Sequence, residues 1–140
     1  MALGGAGRAP RTKVRFGILG AARIAPVAMV KPAAEETEAE VTAVAARDLE
    51  RARRFAAKHK IPAAYGSYAQ LLANPSIDAV YIAVPNGLHG RWTKAALTAG
   101  KHVLCEKPFA ANAEEAASVA EAARRSGLVV MEAFHYRITP

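Results

Sequence analysis

Val14-Arg15-Phe16-Gly17-Ile18-Leu19-Gly20-Ala21-Ala22-Arg23-Ile24-Ala25 is the stretch that decides the fold. Val14 to Leu19 is a short apolar run closed by Gly20, the pattern of a buried strand. A helix is expected from about Ile24. Pro26 is tolerated in its first turn, and Pro32 ends or kinks it near Val30. Strand, tight turn and helix in immediate succession open a βαβ unit.

Reading outward, the same alternation recurs. Glu40 to Ala46 is a second strand, and Asp48 is a natural N-cap for a helix over Leu49–Lys60. In that helix Leu49, Ala52, Phe55 and Ala56 share one face. A short strand is expected at Ala63–Tyr65, then a short helix capped by Ser67 and running to Ala73. Asp78 to Val84 is the strongest strand signal, ended by Pro85-Asn86-Gly87. A helix from about Gly90 to Ala99 and a strand at His102–Cys105 follow. Asn112 caps a helix through Arg125, Gly127 stops it, and Leu128–Met131 is the last strand. Strands that are apolar throughout and alternate with helices predict a doubly wound parallel sheet covered on both faces. The fold class is α/β in a single domain, and residues 1–12, rich in Gly, Ala, Pro and Arg, read as a flexible leader before a domain at 13–140.

Composition fits this reading and excludes others. The chain has 140 residues, enough for one domain. Its 34 alanines outnumber Val, Ile and Leu together, so much of the packing surface is small. A lone cysteine, Cys105, excludes a disulfide scaffold. No uncharged apolar run is long enough to span a membrane, and a reduced cytoplasmic setting is expected. No set of His, Cys, Asp or Glu has metal-ligand spacing, so no metal is expected. The net charge of +7 is concentrated in the first half, which suits an anionic ligand. Aromatic residues are not interleaved with the Lys/Arg runs, which argues against nucleic acid.

In an open parallel sheet ligands bind outside the carboxyl ends of the strands. After the first strand, Gly20-Ala21-Ala22-Arg23-Ile24-Ala25 meets the dinucleotide fingerprint G-x-G-x-x-G/A at its first and third marked positions. Ala22 stands where a second glycine is usual. Such a turn presents free N–H groups to phosphates; a strand–helix turn without a ligand is the other reading. The second strand ends at Ala46-Arg47 with no acidic residue to bind a ribose 2′-hydroxyl. Arg47, with Arg51 in support, suits a 2′-phosphate, so NADP is favoured over NAD; a solvent-facing arginine is the alternative. Pro85, Asn86 and His89 follow the fourth strand. Glu106 and Lys107, fixed by Pro108, follow the fifth, where Lys107 could meet a ligand oxygen or form an ordinary surface pair with Glu106. The last strand leads into Glu132-Ala133-Phe134-His135-Tyr136-Arg137.

With these residues assembled, GILGAARIA, VAARD, AYGSYAQLL, VYIAVPNGLH, GKHVLCEKPFA and MEAFHYR resemble, in order, the N-terminal domain of the glucose–fructose oxidoreductase/inositol dehydrogenase/MocA family. VAARD and LCEKP are most similar to its dihydrodiol and NADP-dependent D-xylose dehydrogenase branch. The resemblance covers roughly residues 13–138. It implies a Rossmann fold and an NADP cofactor held by Gly20, Ala22, Arg23, Ile24, Arg47, Pro85, Asn86, His89, Glu106, Tyr136 and Arg137. It also implies a catalytic, cofactor-facing lysine at Lys107 and hydride transfer to or from a sugar or cyclic diol. Family members continue into a substrate domain that supplies the proton donor, most sugar contacts and the usual dimer interface, whereas this chain stops at Ile138-Thr139-Pro140. The domain alone is therefore expected to bind the dinucleotide without turnover. A non-enzymatic NADP(H)-binding module or partner subunit is the competing expectation.

Overall fold

The computed structural model describes residues 13–22, 38–106 and 110–133. Strand β1 (Val14–Leu19) leads toward β2 (Ala39–Ala45), α1 (Leu49–His59), β3 (Ala63–Tyr65) and α2 (Tyr68–Leu72). Then come β4 (Ala79–Ile82), a 3₁₀ turn (Asn86–Leu88), α3 (His89–Thr98), β5 (His102–Glu106), α4 (Ala113–Ser126) and β6 (Val130–Ala133). The leader at 1–12 and the helix expected after β1 lie outside the described residues.

The six strands form one sheet in the order β3-β2-β1-β4-β5-β6. Every neighbouring pair is parallel. The chain moves outward from β1 to β3, then crosses back and moves the other way from β4 to β6. The strand order thus reverses between β1 and β4, which opens a crevice at their carboxyl ends. Alternating residues of β1 feed the two sides of the sheet. Leu19 joins a core with Ala45, Leu71, Val80, Ile82 and Val103, whereas Ile18 joins Val44, Ala56, Ile61 and Tyr81. Burying a side chain such as Ile18 or Leu71 contributes roughly 1.5–3 kcal/mol. Gly17 makes room for Leu71, since a Cβ there would lie 2.6 Å from Leu71 Cδ2.

The caps explain where the helices begin and end. Asp48 accepts from Glu50 N at 2.9 Å, Ser67 from Gln70 N at 3.1 Å, and Asn112 from Glu115 N at 2.8 Å. Each such cap is worth about 1 kcal/mol. Lys60 ends α1 and Gly127 ends α4, both in the left-handed conformation. Lys101 is buried and donates to Asn74 O at 2.7 Å and Ile77 O at 2.8 Å, tying the turn before β4 to the entry of β5. Burial holds its pKa below the ordinary lysine value.

Four details differ from expectation. β4 ends at Ile82 and not at Val84, because the ladder finishes when Ala83 N donates to Leu19 O at 2.9 Å. β6 runs Val130–Ala133, two residues later than the apolar run Leu128–Met131. Among the described residues, part of one sheet face also stands open. Val129 and Met131 are 53% and 59% exposed, and with Val14, Phe16 and Leu104 they border an open apolar hollow of about 290 Å³. Leu49, expected on the buried face of α1, is 39% exposed at its first turn.

Candidate cofactor site

A cleft of about 380 Å³ opens at the reversal of strand order. Gly20, Ala21 and Ala22 form one wall, Ala46, Arg47 and Arg51 a second, and Ala83, Val84 and Pro85 a third. Gly20 is what lets the walls meet. Its φ is +106°, and a Cβ there would lie 2.6 Å from Ala83 O. Only glycine takes that backbone conformation and that approach without strain. Gly20 N donates to Ala45 O at 2.8 Å, which fixes the turn to the end of β2. The fingerprint's first glycine therefore serves the turn and the backbone approach together. Ala22 is half-buried at the mouth.

Two cations sit on the second wall. Arg47 is exposed two residues after the end of β2. Arg51, one helical turn on, donates from Nη2 to Ala21 O at 3.1 Å and so ties α1 to the glycine turn. Asp48 lies between them, but its carboxylate accepts the Glu50 N–H as the cap of α1. A helix start and two guanidinium groups on this wall, facing the Gly20 turn on the first, give the cleft the chemistry of an anion site.

Pro85 is exposed on the third wall, and Asn86 opens the 3₁₀ turn behind it. His89 is 1% exposed, and its Nε2 donates to Val84 O at 2.6 Å. Its ring holds the 84–88 loop to the start of α3. Glu106, at the end of β5, is 8% exposed and accepts a hydrogen bond from the Tyr81 hydroxyl. The structure thus brings Gly20, Ala22, Arg47 and Pro85 together around the cleft, and sets His89 and Glu106 into the framework at the same sheet edge. Arg23, Ile24, Lys107, Tyr136 and Arg137 lie outside the described residues.

Two residues of this region escaped the sequence reading. Tyr68 lines the cleft and meets Trp92 edge-on, with ring centroids 5.0 Å apart. Tyr81 is fully buried in β4. A tyrosine in a buried strand must find a partner for its hydroxyl, and that requirement is the signal that could have found it. Burial first, and then the bond and charge of Glu106, push the Tyr81 phenol far above its ordinary pKa. Cys105 is buried filler, as its place in an apolar strand suggested. Burial pushes its thiol up to about 12, with the Thr93 hydroxyl opposing only part of the shift. Among the described residues no group of three His, Cys, Asp or Glu could hold a metal ion. Nor is any described helix long and apolar enough to cross a membrane.

Residues 14–134 match the family described as an oxidoreductase family with an NAD-binding Rossmann fold. The chain belongs to the Gfo/Idh/MocA family. Within that family it is 52% identical over 125 residues to a D-xylose 1-dehydrogenase (NADP(+)) of Haloferax volcanii, covering 89% of this chain and 38% of that protein. It is 48% identical over 104 residues to the trans-1,2-dihydrobenzene-1,2-diol dehydrogenase of Bos taurus, covering 74% and 31%. Among solved structures, the 3-ketoreductase KijD10 from Actinomadura kijaniata, in complex with TDP-benzene and NADP, superposes with a TM-score of 0.81 at 38% identity. That match covers 86% of this chain and 38% of the reductase. The chain spans little more than a third of the length of the curated relatives it matches.

Proposed function

We propose that this chain is the NADP(H)-binding half of an oxidoreductase that moves a hydride between nicotinamide and the CH–OH or carbonyl carbon of a sugar or cyclic diol. The observation that carries the proposal is the wall at the end of β2. Arg47 is exposed there, Arg51 stands beside it, and the neighbouring carboxylate is committed to capping α1. NAD sites place an acidic group at this point for the ribose 2′-hydroxyl; a free guanidinium suits a 2′-phosphate instead. The Gly20 turn, with Ala22, Arg23 and Ile24, would hold the pyrophosphate. The names of the relatives support the same reading, because the Haloferax dehydrogenase is called NADP-dependent and the 3-ketoreductase is in complex with NADP.

The bound dinucleotide supplies the hydride acceptor or donor. Pro85, Asn86, Glu106, Tyr136 and Arg137 would line its nicotinamide half, with His89 acting through the 84–88 loop. Lys107, next to Glu106, would be the catalytic residue that assists proton transfer at the reacting hydroxyl. The proton donor and the sugar contacts would come from a substrate domain beyond the 13–140 cofactor domain. A single buried thiol suits a reduced cytoplasmic setting.

The test is a fluorescence titration of the 140-residue protein with NADPH, followed by an NADP-reduction assay with D-xylose, D-glucose, myo-inositol and a trans-diol. Saturable NADPH binding with no turnover is expected. General acid–base catalysis alone contributes about 10²–10⁴-fold, and substrate positioning adds to it. Absence of NADPH binding would overturn the cofactor assignment. Turnover that Lys107→Ala abolishes would show that the domain carries a complete site.

A further inference from the structure

Tyr81 and Glu106 form a buried polar pair in a part of the sheet that is otherwise apolar. Tyr81 is fully buried among Ile18, Val44 and Ile61. It pairs with Leu104 across the β4–β5 ladder, so Glu106 stands two residues further along on the same face. The phenol crosses that interval and donates a hydrogen bond to the Glu106 carboxylate. A buried hydroxyl without an acceptor, or a buried carboxylate without donors, costs on the order of 1–3 kcal/mol or more, so each group constrains the other. A carboxylate offers about four acceptor positions, and the phenol takes one of them.

The location gives the pair a consequence beyond packing. β4 and β5 lie across the crevice from β2, where Arg47 stands. A dinucleotide spanning the reversal point places its adenosine half on the β2 side and its nicotinamide half on the β4–β5 side. We infer that Tyr81 is a positioning residue: its hydroxyl fixes the Glu106 carboxylate at the end of β5, and with it the backbone that leads into Lys107, for the nicotinamide half of the cofactor. The inference rests on the NADP(H) reading above. Tyr81 is fully buried and is not part of the cleft lining, which separates it from the residues that face the cofactor.

The experiment compares NADPH with 2′,5′-ADP, which carries only the adenosine half and its 2′-phosphate. Tyr81→Phe removes one oxygen and keeps every ring contact. Its expected effect is a roughly tenfold loss of NADPH affinity, the size of one charge-assisted hydrogen bond, with 2′,5′-ADP binding unchanged. In a Glu106→Ala background Tyr81→Phe should change neither affinity further, because the hydroxyl then has nothing to hold. Should the phenylalanine variant fail to fold in a urea titration, Tyr81→Met, whose flexible side chain fills the space of the ring, removes the same hydroxyl without touching Glu106 and should give the same split. Equal weakening of both ligands, no weakening of NADPH, or a full Tyr81→Phe effect without Glu106 would overturn the inference. Wild-type protein that binds neither ligand would overturn the cofactor reading itself, a result distinct from binding without the split.

Discussion

Gly20 carries two requirements in one residue, a positive φ and contact with the end of β4. Gly20→Ala should therefore unfold the domain or cost about 3 kcal/mol or more, measured by urea denaturation, whereas Ala22→Gly should cost under about 1 kcal/mol. Equal tolerance of both changes would contradict the geometry. Cys105 gives a pH-dependent outcome at the same scale. Its folded thiol stays protonated to about pH 12, while the unfolded thiol ionises near its ordinary value of 9.0. Between these values the folded state binds the extra proton, so stability falls as pH rises, by up to about 1.4 kcal/mol per pH unit. Wild-type protein should thus lose stability more steeply than Cys105→Ala between pH 9 and 11, and a thiol reagent at pH 8 should label it only on unfolding. Gly20 was legible in the sequence because few residues can close a strand that tightly. Tyr81 was not, because a strand pattern counts tyrosine as apolar and is silent about where its hydroxyl goes.

Caps are the most legible part of the elements. Asp48, Ser67, Asn112 and Gly127 each act as the sequence implied, since their chemistry is local. Strand ends are less legible, because they depend on the neighbouring strand. β4 stops at Ile82 although Ala83 and Val84 are equally apolar; there the Val84 carbonyl turns to His89 and leaves the ladder. Lys60 shows the same limit. It ends α1 at φ 59°, a conformation that is strained in any residue with a Cβ. Lys60→Gly should raise stability by about 0.5–1 kcal/mol, read as a higher urea midpoint; a lower midpoint would show that the lysine side chain contributes more than its backbone strain costs.

In the whole molecule, alternation of apolar strands and helices was enough to anticipate a parallel, doubly wound sheet, because such strands pair through crossovers of one hand. It was not enough to anticipate which parts of each face are covered. Val129 and Met131 are as apolar as Val44 and Ile18, yet they stand exposed beside Leu104. Hydrophobicity marks a face as suited to burial and does not say what lies on it. The cleft was legible at whole-molecule scale for a related reason, since the reversal of strand order gathers the ends of β1, β2 and β4 wherever the loops run. The central claim is that this cleft holds a dinucleotide with its 2′-phosphate on Arg47. Calorimetric titration of NADP⁺ and NAD⁺ into wild-type protein and Arg47→Ala tests it directly. A charge-assisted pair worth roughly 1.5–3 kcal/mol predicts a preference for NADP⁺ of about tenfold or more, falling to near parity in the variant. Equal affinity in the wild type, or a preference that Arg47→Ala leaves intact, would contradict it.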